Sequence, residues 1–73
     1  MQNIEEYIDF EKCIFLINPN FRGDQFTMDA SFSYSIFSNG ASFDSAIFKK
    51  NVFFISAQFT QYASFCKAKF DKT

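Results

Sequence analysis

The sequence predicts an all-β solenoid, a stack of short coils in which each repeat buries its apolar face against its neighbours. Three observations carry that expectation. Twelve of the thirteen phenylalanines fall on two interleaved combs with a tooth every eleven residues: Phe10, Phe21, Phe32, Phe43, Phe54 and Phe65, and Phe15, Phe26, Phe37, Phe48, Phe59 and Phe70. Strict self-similarity at a short fixed period belongs to stacked repeats rather than to a single globular core. A small residue stands two positions before most of these rings, and that spacing puts both side chains on one face of an extended segment. The aromatic content, 22%, is almost all Phe, while Trp and His are absent, so the chain is invested in one repeated apolar contact.

Taken in order, residues 1–7 form an N-terminal partial repeat or cap. They keep the register, because Ile4 lies eleven before Phe15 and Tyr7 falls where Tyr62 later falls. Residues 8–73 then divide without a gap into six elevens that make one repeat domain. The first eleven, IDFEKCIFLIN, places Ile8 and Cys13 inward beside its two rings. The second, PNFRGDQFTMD, is irregular: Pro19 and Asp24 occupy the small position. Pro19 lacks the N–H that a ladder wants, and an enclosed Asp24 needs backbone donors. Regular pairs follow, Ala30 with Ser35, Ala41 with Ala46, Val52 with Ala57 and Ala63 with Ala68, and the sixth eleven, ASFCKAKFDKT, ends at Thr73. Each unit carries one extra residue after its second half, at Asn18, Asp29, Gly40, Asn51, Tyr62 and Thr73. A helix does not fit. At about 100° per residue, ring spacings of five and six would set the two combs on different sides of it and leave no seam.

The unit small-x-Phe-x-x resembles that of the pentapeptide-repeat family, and the alternating spacing of five and six is similar to that of the family's Phe-rich variants. The match runs over residues 8–73, with all twelve ring centres obeying it. The resemblance implies a right-handed quadrilateral β-helix with four short faces per coil and the centre residues stacked inside. Four faces then take roughly 22 residues, and the chain makes about three coils. The structural core is expected to be the twelve combed rings, in four columns. The extra residue in each half coil is expected to widen the tube, which gives a physical reason for Phe where Leu would suit a narrower one.

Composition narrows the function. No histidine exists, the acids are scattered, and no nucleophile stands beside a base, so no catalytic residue is assigned and the chain is expected not to be an enzyme. Cys13 and Cys66 have no CxxC spacing and are expected to be free thiols, with no metal or cofactor bound. The two glycines cannot build a phosphate-cradling loop, and no small-molecule substrate is expected. Nucleic-acid binding is disfavoured, because the aromatics that could stack on bases point inward. The start, MQNIEEYIDF, is acidic where a signal peptide is basic, and no apolar run approaches membrane-spanning length, so a cytoplasmic protein is expected.

Outward positions on two adjoining faces are apolar: Ile14, Leu16, Ile17 and Ile36 on one, and Tyr34, Phe53 and Ile55 on the next. Together they form a candidate interaction surface. Charge is divided along the chain. Residues 1–43 hold six acids and two bases, and residues 44–73 hold five lysines and two aspartates. The sequence therefore points to a structural, protein-interacting module whose first partner is itself, by stacking or by end-to-end dimerisation. The alternative comes from the resemblance: some pentapeptide-repeat proteins mimic a DNA duplex and shield topoisomerases.

Overall fold

Two residues is the length of every strand among the described residues. A computed structural model describes residues 3–71, and among them twelve such strands pair in parallel with the coils above and below. They lie on four faces, visited in turn by the chain. The first face carries β1 (Asn3–Ile4), β4 (Gln25–Phe26), β8 (Ile47–Phe48) and β12 (Lys69–Phe70). The second carries β2 (Ile8–Asp9), β5 (Ala30–Ser31) and β9 (Val52–Phe53). The third carries β3 (Ile14–Phe15), β6 (Ile36–Phe37) and β10 (Gln58–Phe59). The fourth carries β7 (Ala41–Ser42) and β11 (Ala63–Ser64), with a single bridge from Asn20 to Ser42 below them. Every registered pair, such as Phe26 with Phe48 and Ile14 with Ile36, is separated by 22 residues, which is one coil. The chain is thus an all-β solenoid of about three turns.

Corners explain why strands stay so short. The residue two after each ring of the first comb is left-handed: Lys12, Gly23, Tyr34, Ser45, Ser56 and Lys67 all have φ between 55° and 74°. Such a residue at the third position of a four-residue turn is the type II pattern. Phe21, Phe32, Phe43, Phe54 and Phe65 each close that turn by accepting a hydrogen bond from the N–H three residues on, at 3.1–3.4 Å. At Cys13 the N–H goes instead to the Ser35 hydroxyl, 3.2 Å away, and that hydroxyl in turn donates to the Phe10 carbonyl.

Three of the extra residues join the ladder. Asp29, Asn51 and Tyr62 accept backbone hydrogen bonds from Ile8, Ala30 and Ala41, one coil below. The insertion therefore lengthens the pairing on the second and fourth faces. Pro19 shows the converse. On its face the Phe21 and Gly23 N–H groups donate upward to Ser42 and Asp44, and a residue at position 19 would do the same toward Gly40. Proline cannot donate, and the rung shrinks to one bridge. Asp24 is half-buried rather than enclosed, and its N–H closes the turn onto Phe21.

Inside, the rings form four columns. Phe15, Phe37 and Phe59 stack at 4.6 Å with planes 5–6° apart, and Phe26, Phe48 and Phe70 stack at 4.8 and 5.2 Å. Phe21, Phe43 and Phe65 stack at 5.1 and 4.9 Å; Phe32 stacks on Phe54 at 5.2 Å, and Phe10 tilts by 33° beneath Phe32. The two combs are not equivalent. Phe21, Phe32, Phe43, Phe54 and Phe65 also meet across the lumen in that order, edge to face, with centroids 5.5–5.9 Å apart and planes 66–89° apart. Edge-to-face contact suits the ring quadrupole and adds to simple burial. The most enclosed rings, Phe26, Phe32, Phe37, Phe43 and Phe48, are at most 1% exposed, and each has a centre residue both above and below it on its own face.

Candidate interaction surfaces

With the lumen filled by rings, no pocket opens among the described residues, so any site lies on the outside of the tube. Three kinds of surface are present.

The first is the apolar side. Ile14, Leu16 and Ile17 are 63–76% exposed, Tyr34 and Ile55 are more than half exposed, and Phe53 is 39% exposed; Ile36 is half-buried. Register joins some of them. Ile14 lies directly under Ile36 on the third face, while Phe53 lies above Ser31 on the second. Tyr34 and Ile55 sit on the corner between these faces, linked by the Tyr34 N–H to Ile55 carbonyl bond. Leu16 and Ile17 stand apart at the next corner, where the Asn39 side-chain amide donates to the Leu16 carbonyl. Tyr62, 81% exposed, shares that corner, and Tyr7 and Met28 are exposed at the corner between first and second faces. In the sequence Tyr7 and Tyr62 stand out only by their register, and nothing there marks them or Met28 as part of the apolar surface. Their positions, in or next to the extra-residue slot, were the available signal.

The second is a set of polar ladders that rise from coil to coil. Asp44 Oδ1 accepts from the Cys66 N–H at 2.9 Å and from the Ser64 hydroxyl. Half a coil away, Ser33 Oγ accepts from the Ile55 N–H at 3.2 Å, and the Ser31 hydroxyl donates to Glu11 Oε2 at 2.8 Å. The Ser64 hydroxyl, then the Cys66 N–H, and last the nearby Arg22 charge hold the Asp44 carboxyl below its ordinary range. Ser31, Ser33 and Ser35 are buried, and no buried side-chain polar atom lacks a partner among the described residues. These bonds glue coils together and leave little for a ligand.

The third is the pair of ends. Phe65 and Phe70 are 36% and 54% exposed at the upper end, though Phe43 and Phe48 in the same columns are enclosed. Ile4, Phe10, Phe15 and Phe21 are half-buried at the lower end. Acids gather below. The Tyr7 phenol titrates above its ordinary range because partial burial, and then Asp9, Glu11 and Asp29, disfavour its anion. Cys13 and Cys66 are both free, the first half-buried and the second exposed. No group of three metal-ligating side chains occurs among the described residues, and no helix there is long and apolar enough to cross a membrane.

Comparison with protein-family models, with curated proteins and with solved structures found no match for this chain.

Proposed function

We propose that this chain is a non-enzymatic structural module of the pentapeptide-repeat kind that associates with protein, and first with further copies of itself. The carrying observation is the apolar side of the tube, where Ile14, Leu16, Ile17, Tyr34 and Ile55 are each more than half exposed. Uncovered apolar area is worth about 25 cal/mol per Å² when it is removed from water. The lack of histidine and the ring-filled lumen support a binding role over catalysis. Two free thiols suit the cytoplasm, where cysteines stay reduced. The apolar side, with Ile14, Ile36, Tyr34 and Ile55 at its centre, is the surface assigned to a protein partner.

Size-exclusion chromatography with light scattering, run across a wide concentration range, tests self-association. A rising mass is expected, and a constant monomer mass at the highest concentration counts against it. Gyrase protection from inhibitors is the assay for the alternative reading as a DNA mimic. A net charge of −1 offers that reading little of the anionic surface it requires.

A further inference from the structure

The outward positions of the third face carry no charge. They are Ile14 and Leu16 on the lowest rung, Ile36 and Ser38 on the middle one, and Gln58 and Thr60 on the upper one. Each of the other faces is charged: Lys49 and Lys69 stand on the first, Asp9 on the second, and Arg22 and Asp44 on the fourth. The third face is also graded along the tube, since Ile14, Ile36 and Gln58 lie in register one above another. Its polar side chains turn back to the ladder. The Asn39 amide donates to the Leu16 carbonyl, and the Thr60 hydroxyl donates to the Ser38 carbonyl 2.8 Å away. A cover over this face therefore takes exposed Ile14 and Leu16 out of water and leaves those donors bonded.

The charge pattern selects what covers it. An uncharged face gives an ionic partner nothing to pair with, whereas two copies of it meet without opposing like charges. A lipid surface fits less well, because the lysines that would meet its headgroups, Lys49, Lys67 and Lys69, lie on or beside the first face, on the far side of the tube. Size agrees with a second copy. One side of a four-sided tube with two ends is about a sixth of its 4743 Å² surface, roughly 800 Å², and about 800 Å² from each partner makes a standard stable interface.

Two two-fold settings lay this face on itself. With the axis across the tube the copies point in opposite directions, and Ile14 and Leu16 of one meet the Gln58 and Thr60 rung of the other. With the axis along the tube they stand side by side and point the same way, so each rung meets its own kind. The lowest rungs then cover each other's Ile14 and Leu16, and the upper rungs set amide and hydroxyl against amide and hydroxyl. Lys12, on the corner before this face, meets the far, uncharged corner of the other copy.

We propose that two copies of this chain dimerise side by side through the third face, pointing the same way, with Ile14 and Leu16 of each packed on those of the other and Tyr34 and Ile17 adding apolar edges. The contact is isologous and closes at two. It rests on the self-association proposed above and names its surface and mode.

Light scattering of the wild-type chain should rise to twice the monomer mass and stop there. Leu16 is 73% exposed, so Leu16→Glu leaves the isolated fold intact and should raise the concentration for half-dimerisation by at least about tenfold. Lys49→Glu, on the far side, should change it by less than about twofold. Direction is read by cross-linking Ile14→Cys and Gln58→Cys, each in a Cys13→Ser, Cys66→Ser background, with a short bis-maleimide. Each variant should link to itself, and a mixture in which one carries a mass tag should give little product between positions 14 and 58, which stand two rungs, about 10 Å, apart in height. Cross-links between 14 and 58 without self-linking would overturn the side-by-side mode. Association that Leu16→Glu leaves undiminished, or a mass that grows past the dimer, would overturn this contact while leaving self-association standing. A wild-type chain monomeric at every concentration would remove both, and binding of that monomer to phosphatidylcholine vesicles would give the face to lipid instead.

Discussion

Gly40 is the residue on which coil stacking tolerates least. Its φ is +78°, and a Cβ there would lie 2.0 Å from the Tyr62 carbonyl oxygen, which receives the Ala41 N–H. Gly40→Ala must both strain the backbone and push a coil away, at a cost on the order of 3 kcal/mol. At about 4–8 °C per kcal/mol in a domain of this size, thermal melting should fall by more than 10 °C. Gly23 is the control. Its φ is +74°, but an added Cβ meets nothing within 4 Å, so Gly23→Ala should cost only about 1–2 kcal/mol. The reverse substitution should help at Ser56, which is exposed with φ 55°: Ser56→Gly is expected to be neutral or stabilising by up to about 1 kcal/mol. Asp44 adds a pH dependence. Because its folded carboxyl is lowered by Ser64 and Cys66, its contribution is complete above the unfolded value near pH 4 and is lost as pH falls through the lower folded value. Asp44→Asn should therefore flatten the acid limb of a melting-temperature profile below about pH 4 and leave Ser64 and Cys66 with a weaker acceptor.

Among the elements, the ring columns divide into a central zipper and two flanking stacks, and substitutions should follow that division. Phe43 touches Phe21 and Phe65 in its own column, Phe32 and Phe54 across the lumen, and Phe48 beside it. Phe43→Ala should cost about 3–5 kcal/mol in chemical denaturation, near the upper end of core truncations. Phe70→Ala removes a ring already half in water and should cost less than half as much. The four columns were legible from residues 10–70 because a period of eleven on four faces leaves one assignment. The inequality of the combs was not, since both are Phe at the same period and only the placement of the extra residue separates them. Gly40 read as one variant of that slot among six, and nothing in the sequence says that Tyr62 passes within van der Waals distance above it. Pro19 did read as a break, but the direction in which its nitrogen faces the ladder depends on the handing of hydrogen bonds along the fourth face. The apolar side was legible by face. Tyr7, Met28 and Tyr62 escaped because they sit at corners, where a period-two reading loses its phase.

For the whole molecule, stability should be graded along the tube axis. Each coil contacts only its neighbours, so local opening is cheapest where one neighbour is missing. The enclosed rings lie between residues 26 and 48, and exposure grows toward both ends. Amide hydrogen exchange should show this directly. The Phe32 and Phe43 N–H groups, bonded to Phe53 and Ser64 carbonyls at 2.7 and 2.8 Å, should exchange slowest and approach the global unfolding limit. Those of Ile8 and Asp71, bonded at 3.1 and 2.9 Å to the adjacent coil but belonging to the end coils, should exchange about a hundredfold faster, although their hydrogen bonds are of similar length. Bond geometry alone would predict nearly equal protection, so the ratio isolates the contribution of neighbouring coils. Raising concentration at low salt then separates an isolated stack from an assembling one. If copies cover each other's ends, Ile8 and Asp71 should slow together, and Phe32 and Phe43 should slow with them by as much as association stabilises the folded chain. Slowing at only one end would mean that a single end is buried, as in a closed two-fold dimer.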